Sequence, residues 1–419
     1  MGKKTRIILY AASLIILLTM VTLIIFSGGK TKQTSDDSGN GRDENKTAVE
    51  QPAGNTGEAA KETETEERTD SKDTEEITET EIAETETTET ETTEIIETEA
   101  GKTKPEETTS ESTTLIFAGD VLFNNWFTAN YDKGGIEKVV EPVLLKQLQE
   151  ADIFMVNNEF PFSNRGTAME DKQYTFRCDP KYVTALQEMG VDIVTLANNH
   201  ALDFGREALS DTFTTLDNAG IKYAGAGETA ERAYELQVIE KNGKKFGFLA
   251  ASRVVPVADW KVEIETPGML TAYDDTKLVQ LIEEAKNSCD FLSVYLHWGI
   301  ERDVYPQDYQ TKIAKDCVEA GADVIIGAHP HCLQGITYIE GKPVFYSLGN
   351  FIFGYNIDQT MALKVLVGEN GEVSYQIIPA YASGATTQLM DEKNAADLYQ
   401  YMMDISTGVK IDADGMITQ

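Results

Sequence analysis

After Thr113 the chain alternates short apolar, β-prone runs with amphipathic helical stretches. That alternation restricts it to sheet strands covered by helices. The strands expected are Thr114–Ala118, Ile153–Val156, Asp192–Leu196, Phe291–Leu296 and Val324–Ile326, and the helices Ile136–Ala151, Lys181–Met189 and Arg206–Ala219. Asn242-Gly243, Glu340-Gly341 and Asn370-Gly371, each between β-prone runs, signal hairpins. The fold class expected is α/β with mixed sheets, antiparallel pairs entering in the second half.

Nothing before Thr113 has that texture. Ile7–Phe26 carries no charge and no proline, long enough as a helix to span roughly 30 Å of hydrocarbon. Lys3, Lys4 and Arg6 precede it, which predicts a cytoplasmic N-terminus and an exported remainder. A cleaved signal peptide is the alternative, disfavoured by the length of the run. From Lys30 to Ser112 the chain is Thr/Glu-rich, with 26 acidic and 9 basic residues and almost no large apolar ones. Such a segment cannot offset the entropy of ordering, so a disordered stalk spanning at least roughly 50 Å is expected. It accounts for about half of the net charge of −34, a charge that excludes nucleic acid as a partner. The organisation expected is an anchor over 1–29, a linker over 30–112, the main domain over 113–390, and a C-terminal helix and tail over 391–419. Cys178, Cys289, Cys317 and Cys332 fit no C-x-x-C pattern and are expected to be mostly buried thiols.

The chain has four histidines, His200, His297, His329 and His331, and each follows one of the apolar runs. Asp120 and Glu159 end two more. In layered α/β folds ligands gather at the carboxyl ends of strands, so these groups are expected in one open pocket. Imidazole, carboxylate and amide oxygen together suit a divalent ion such as manganese, iron or zinc. In His329-Pro330-His331 an extended segment would present both rings on one side.

The motifs Phe117-Ala118-Gly119-Asp120, Asn157-Asn158-Glu159, Ala197-Asn198-Asn199-His200 with Asp203 and Gly205, His297-Trp298-Gly299-Ile300-Glu301, Gly327-Ala328-His329-Pro330-His331 and Tyr346-Ser347-Leu348-Gly349-Asn350-Phe351 occur in the order seen in the CapA family of poly-γ-glutamate synthesis proteins. The chain resembles that family from about Thr113 to Ala380. The resemblance implies a four-layer α-β-β-α sandwich like that of calcineurin-type metallophosphoesterases. It also implies Asp120, Glu159, Asn199, His297, His329 and His331 as metal ligands, with His200 as general acid. Two departures stand out: Leu122 occupies the place of a ligand histidine, and the Asn158-Glu159 pair replaces a bridging aspartate, which leaves the number of ions open. Asn158, Arg177, Glu301 and Asn350 are candidates for contacting an anionic substrate, and Arg253 for lining the site; Trp298 and Phe351 read as packing residues.

Three functions follow as expectations. The first is synthesis and export of poly-γ-glutamate or a related surface polymer, with membrane synthase-complex subunits as partners. The second is a surface metal-dependent phosphoesterase acting on a phosphorylated substrate. The third is a non-catalytic scaffold that keeps the fold. In all three the C-terminal domain lies outside a single-pass membrane anchor.

Overall fold

The strands in chain order are β1 (Thr113–Val121), β2 (Ile153–Asn158), β3 (Ile193–Thr195), β4 (Lys222–Ala224), β5 (Ala226–Gly227), β6 (Gln237–Lys241), β7 (Lys244–Ser252), β8 (Gly268–Met269), β9 (Phe291–His297), β10 (Val324–Ala328), β11 (Leu333–Ile339), β12 (Lys342–Leu348), β13 (Asn350–Ile352), β14 (Ile357–Val367), β15 (Val373–Ser383), β16 (Thr386–Leu389), β17 (Lys410–Ile411) and β18 (Met416–Thr418). The helices are α1 (Asn125–Gly134), α2 (Pro142–Gln149), α3 (Val183–Met189), α4 (Gly205–Ala219), α5 (Ala230–Tyr234), α6 (Thr276–Ala285), α7 (Asp308–Ala320) and α8 (Glu392–Asp404). This computed structural model describes residues 112–419. The expected anchor and all of the expected linker but Ser112 lie outside the described residues. Among the described residues no helix is long and apolar enough to cross a membrane.

Two mixed sheets dominate. The larger runs β17-β18-β15-β14-β1-β2-β3-β4, with β13 beside β1 and β16 beside β15. Its β1–β4 half is parallel, while β14, β15, β17 and β18 are joined by antiparallel pairings. The smaller runs β11-β12-β10-β9-β7-β6, parallel from β12 to β7 with an antiparallel strand at each edge.

Strand periodicity divides the smaller sheet between two cores. Phe246, Phe248, Ala250, Phe291, Tyr295, Val324, Ile326 and Phe345 point into the core shared with the larger sheet. Their alternates Leu249, Ala251, Leu292, Val294, Leu296, Ile325, Val344 and Tyr346 pack on α6 and α7, through side chains such as Leu278, Ile282, Ile313 and Cys317. Period-2 alternation thus makes one sheet serve two apolar layers. Helices α2, α3 and α4 bury Leu144, Leu148, Leu186, Met189, Leu209 and Phe213 in the core of the larger sheet. Each fully buried side chain of this size contributes about 1.5–3 kcal/mol. Across the inter-sheet core the Phe117 and Phe248 rings lie 6.4 Å apart, and the buried Tyr295 hydroxyl donates to the Ala118 carbonyl at 2.8 Å. That bond ties β9 to β1 two residues before His297 and Asp120, and so sets the spacing of the two sheets at the site.

Two of the three hairpins are two-residue turns with both residues at positive φ, Asn242-Gly243 (49° and 75°) and Glu340-Gly341 (50° and 77°). The third, around Asn370-Gly371, is a longer loop between Val367 and Val373. Two expectations need correction. Ile136–Ala151 is not one helix: a 3-10 turn over Ile136–Lys138 gives way to an isolated bridge from Val140 to Thr387, and α2 starts afresh with Pro142 at its first turn. Proline favours a helix start and cannot continue one. Residues 391–419 are not a tail on a finished domain. Helix α8 buries Leu398 and Met402 in the main core, and β18 pairs with β15, extending the larger sheet. All four cysteines are free thiols, Cys178 and Cys317 buried, Cys289 and Cys332 partly so.

Candidate metal centre

Parallel strands of both sheets end in one place. Asp120 lies near the end of β1, Glu159 follows β2, Asn199 and His200 follow β3, His297 ends β9, and His329 and His331 follow β10. Within the larger sheet Asp120 is in register with Asn157 on one side and Asn350 on the other. Gly119 makes this crowding feasible: a Cβ there would stand 1.9 Å from the Gly349 carbonyl oxygen. Asp120 N–H donates to that same oxygen at 2.9 Å.

Two overlapping groups have their ligand atoms within 4.8 Å of one another: Glu159, His297 and His329, and Asp120, Glu159 and His331. Glu159 belongs to both. His297 Nε2 lies 2.8 Å from Asn199 Oδ1 and 3.6 Å from Glu159 Oε1. His331 Nδ1 lies 3.3 Å from Asp120 Oδ2 and 2.8 Å from Asn350 Oδ1. Both of those oxygens accept, so Nδ1 of His331 carries the proton. The His329 backbone N–H donates to Asp120 Oδ2 at 3.2 Å. Asn157, an unexpected member, donates from Nδ2 to Asp120 Oδ1 at 2.7 Å and lies 3.2 Å from His297 Nδ1; Asn198 fixes it by donating to its Oδ1 at 3.0 Å.

The centre is buried, not open. Asp120, Glu159 and His297 have no exposed surface, and His329, His200 and Asn199 are also buried. Yet both oxygens of Glu159, Nδ1 of His329 and Oδ1 of Asn158 have no hydrogen-bond partner among the described residues. A buried carboxylate without partners is costly. Orphaned lone pairs on an acid and an imidazole, converging with Asn199 Oδ1 and His297 Nε2, fit a divalent cation, and the N/O donor set fits manganese, iron or zinc. Without a cation the electrostatics conflict. Burial, and then the neighbouring Asp120, push the Glu159 carboxyl well above the ordinary carboxylate range. Burial, then His329 and His331, push His297 well below the usual imidazole value, and burial takes His329 down to about 4. For Asp120 and His331 burial is also the largest influence, but their mutual hydrogen bond and charge outweigh it, holding Asp120 low and His331 high.

His200 stands in a different environment. Its Nδ1 is 2.6 Å from Asp203 Oδ2, which also accepts from the Phe176 N–H at 2.7 Å. Lys172, missed in the sequence, donates to Asp203 Oδ1 and to the Asn199 carbonyl, with Nζ 3.0 Å from His200 Nδ1. Burial lowers the pKa values of both His200 and Lys172 despite Asp203. Phe176 lies against the His200 ring at 4.4 Å, and Phe353 against His331 at 4.5 Å. No periodic signal marks Lys172, because it comes from the irregular stretch between β2 and α3.

Some expectations shift. His329 and His331 are not extended: their φ values are 96° and 57°, a left-handed region that non-glycine residues rarely occupy. Their rings still approach, with centroids 5.8 Å apart, through the turn instead of through strand alternation. Leu122 is buried in the core and offers no ligand. Arg177 does not reach the centre; it lies over the Phe204 ring at 4.2 Å and donates to the Arg165 carbonyl. Arg253 is held over the rings of Tyr273 and Tyr309. Glu301 is exposed and makes no hydrogen bond or ion pair among the described residues. Asn158 turns its amide N–H to the Phe160 carbonyl, and Asn350 bonds His331. Trp298 is fully buried, its indole N–H donating to the Tyr346 carbonyl at 2.8 Å; Phe351 is likewise buried.

Fold and cluster define an α/β protein with a cation-type centre where the strand ends of two mixed sheets meet. The chain belongs to the bacterial capsule synthesis protein family PGA_cap, which it matches over residues 114–355. It is 30% identical over 278 residues to the PGA biosynthesis protein CapA of Bacillus subtilis (strain 168), covering 64% of this chain and 72% of that one. It is 30% identical over 275 residues to the capsule biosynthesis protein CapA of Bacillus anthracis, covering 64% of this chain and 66% of that one. Among solved structures, Haemophilus influenzae NAD nucleotidase is similar at a TM-score of 0.42 and 13% identity, over 71% of this chain and 63% of that one. The 5'-nucleotidase of Candida albicans SC5314 is similar at 0.36 and 10% identity, over 64% and 52%.

Proposed function

We propose that this chain is a surface protein of poly-γ-glutamate capsule synthesis and export, whose domain handles the polymer at a divalent-metal centre outside the membrane. Family membership supports the process. The observation that carries the metal is the buried, unpartnered Glu159 carboxylate facing His297 and His329. Residues 7–26 anchor the chain in this reading, and the acidic segment after them holds the domain away from the cell surface.

Asp120, Glu159, Asn199, His297, His329 and His331 would hold the metal ion, manganese, iron or zinc. When bound, the ion supplies a Lewis acid that polarises a carbonyl or phosphoryl oxygen or activates water. The chain's own residues do the rest. Asn157 and Asn198 fix the faces that Asp120 and His297 present. Asp203 accepts the Nδ1 proton of His200, so the other ring nitrogen, Nε2, is left to exchange a proton with the substrate. Phe176 and Phe353 cover the two outer histidines and restrict water.

The same centre supports a second reading, a surface phosphoesterase, because the His200–Asp203 pair beside a cation site suits proton transfer to a phosphate leaving group. One experiment separates the two. Cells dependent on this chain are compared with cells carrying His329→Ala at equal surface level, for cell-bound γ-glutamyl polymer, and the purified chains are compared for phosphomonoester and phosphodiester cleavage. Loss of polymer without phosphoester cleavage by the wild type supports the first reading. Undiminished polymer in His329→Ala would remove the centre from capsule synthesis.

A further inference from the structure

The described residues contain six arginines. Five have engaged guanidinium groups. Arg165 pairs with Glu207 and Asp211, Arg206 with Asp259, and Arg232 with Glu235. Arg177 and Arg253 lie over aromatic rings. Arg302 alone has neither an ion pair, a side-chain hydrogen bond nor a ring contact among the described residues.

Its position is not accidental surface. Arg302 follows the β9 motif directly, and its backbone N–H donates to the Pro330 carbonyl at 2.8 Å, between the two clustered histidines. Its φ of 65° is the third left-handed, non-glycine value in this corner, after His329 and His331. Strain of this kind persists where the surroundings over-determine it, commonly beside a functional centre. Arg302 lines a cavity of about 260 Å³ together with His331, Asn350, Asn356, Gln359 and Tyr401. The cavity therefore opens directly on the outer edge of the metal centre, through His331 and Asn350.

We propose that this cavity is a substrate subsite, in which Arg302 binds one carboxylate of an anionic polyamide chain while the neighbouring unit lies at the metal centre. The proposal rests on the polymer reading above and names the contact that recognises it. A guanidinium presents a planar fork of donors that matches a carboxylate. The side-chain amides of Asn356 and Gln359 offer the donors and acceptors that a chain amide requires. The volume falls below the roughly 300–1,000 Å³ of a drug-sized site and suits a single repeat unit. Asp358 also lines the cavity. One free cation beside one carboxylate tolerates a singly charged carboxylate better than a phosphate dianion, which is why the carboxylate is preferred here.

The test uses the full-length chain in detergent with its metal, and a fluorescein-labelled γ-glutamyl pentamer read by anisotropy. Arg302→Gln is expected to weaken pentamer binding at least about tenfold, with metal content and melting temperature unchanged. Arg302→Lys is expected to recover part of that loss. A pentamer whose carboxylates are converted to primary amides should bind wild type and Arg302→Gln alike. Equal pentamer affinity in wild type and Arg302→Gln would overturn the subsite and leave the polymer reading intact. Absence of pentamer binding by the wild type would overturn both. Tight binding of inorganic phosphate that depends on Arg302 would replace the carboxylate by a phosphoryl group and favour the phosphoesterase reading.

Discussion

Glu159 is the residue on which the centre turns, because it is shared by both candidate ligand groups and neither of its oxygens has a hydrogen-bond partner among the described residues. In the metal-free chain its folded pKa is raised above the unfolded value of about 4.3. The folded state then binds this proton more tightly than the unfolded state, so the contribution of Glu159 to stability falls as pH rises above that value. Glutamine keeps the shape and removes the carboxyl. Metal-free Glu159→Gln should therefore melt above metal-free wild type at pH 7, the gap closing toward pH 4, while its bound metal is lost. Calorimetry of both chains after chelation checks the sign, and a lower melting temperature for the variant at pH 7 would contradict it. Ligand and proton donor should also separate. His200→Ala should keep its metal, since its ring is held by Asp203, whereas His329→Ala should lose it, as elemental analysis of the two variants would show. The types of these residues and their places after apolar runs were readable in the sequence. Lys172 and Asn157 were not assigned, since a lysine in an irregular segment and one asparagine of an Asn-Asn pair look like many surface residues until the fold closes around them.

At the scale of elements, the close pass of β1 against the turn into β13 holds the centre together. Gly119 faces the Gly349 carbonyl with no room for a methyl group. Gly119→Ala must push backbone against backbone, which a flexible side chain cannot relieve, and is expected to cost about 3 kcal/mol in stability. It should also lower metal occupancy, because Asp120 is the next residue. A folded, fully loaded Gly119→Ala chain would show that the register of Asp120 with Asn350 is dispensable. The strands were legible because apolar runs of this length bounded by Gly and Asn carry their own signal. The break at Val139–Pro142 was less so: helical periodicity continued across it, and the bridge from Val140 to Thr387 reaches some 250 residues along the chain. Likewise, β17 and β18 are too short to announce themselves, and only the pairing of β18 with β15, and of β17 with β18, makes them part of the sheet.

At the scale of the whole molecule, the proposed topology places the domain outside the cell. Protease added to intact, wall-stripped cells should remove the domain and leave a short anchored fragment, and full protection would refute the outward orientation. Elements far apart in sequence assemble the centre, with β1 supplying Asp120 and the turn after β10 supplying His329 from 209 residues away. Local composition and periodicity by themselves determined the α/β class, the mixed sheets and the placing of histidines and acids just after apolar strands, since each depends on neighbours within a few residues. Only the tertiary structure decided that the site is buried, that the histidines approach through a left-handed turn, that Arg177 packs on Phe204 while the Arg302 side chain finds no partner among the described residues, and that the C-terminal segment completes the larger sheet. Those outcomes depend on which distant backbones and side chains share one volume, and spacing along the chain carries no record of that.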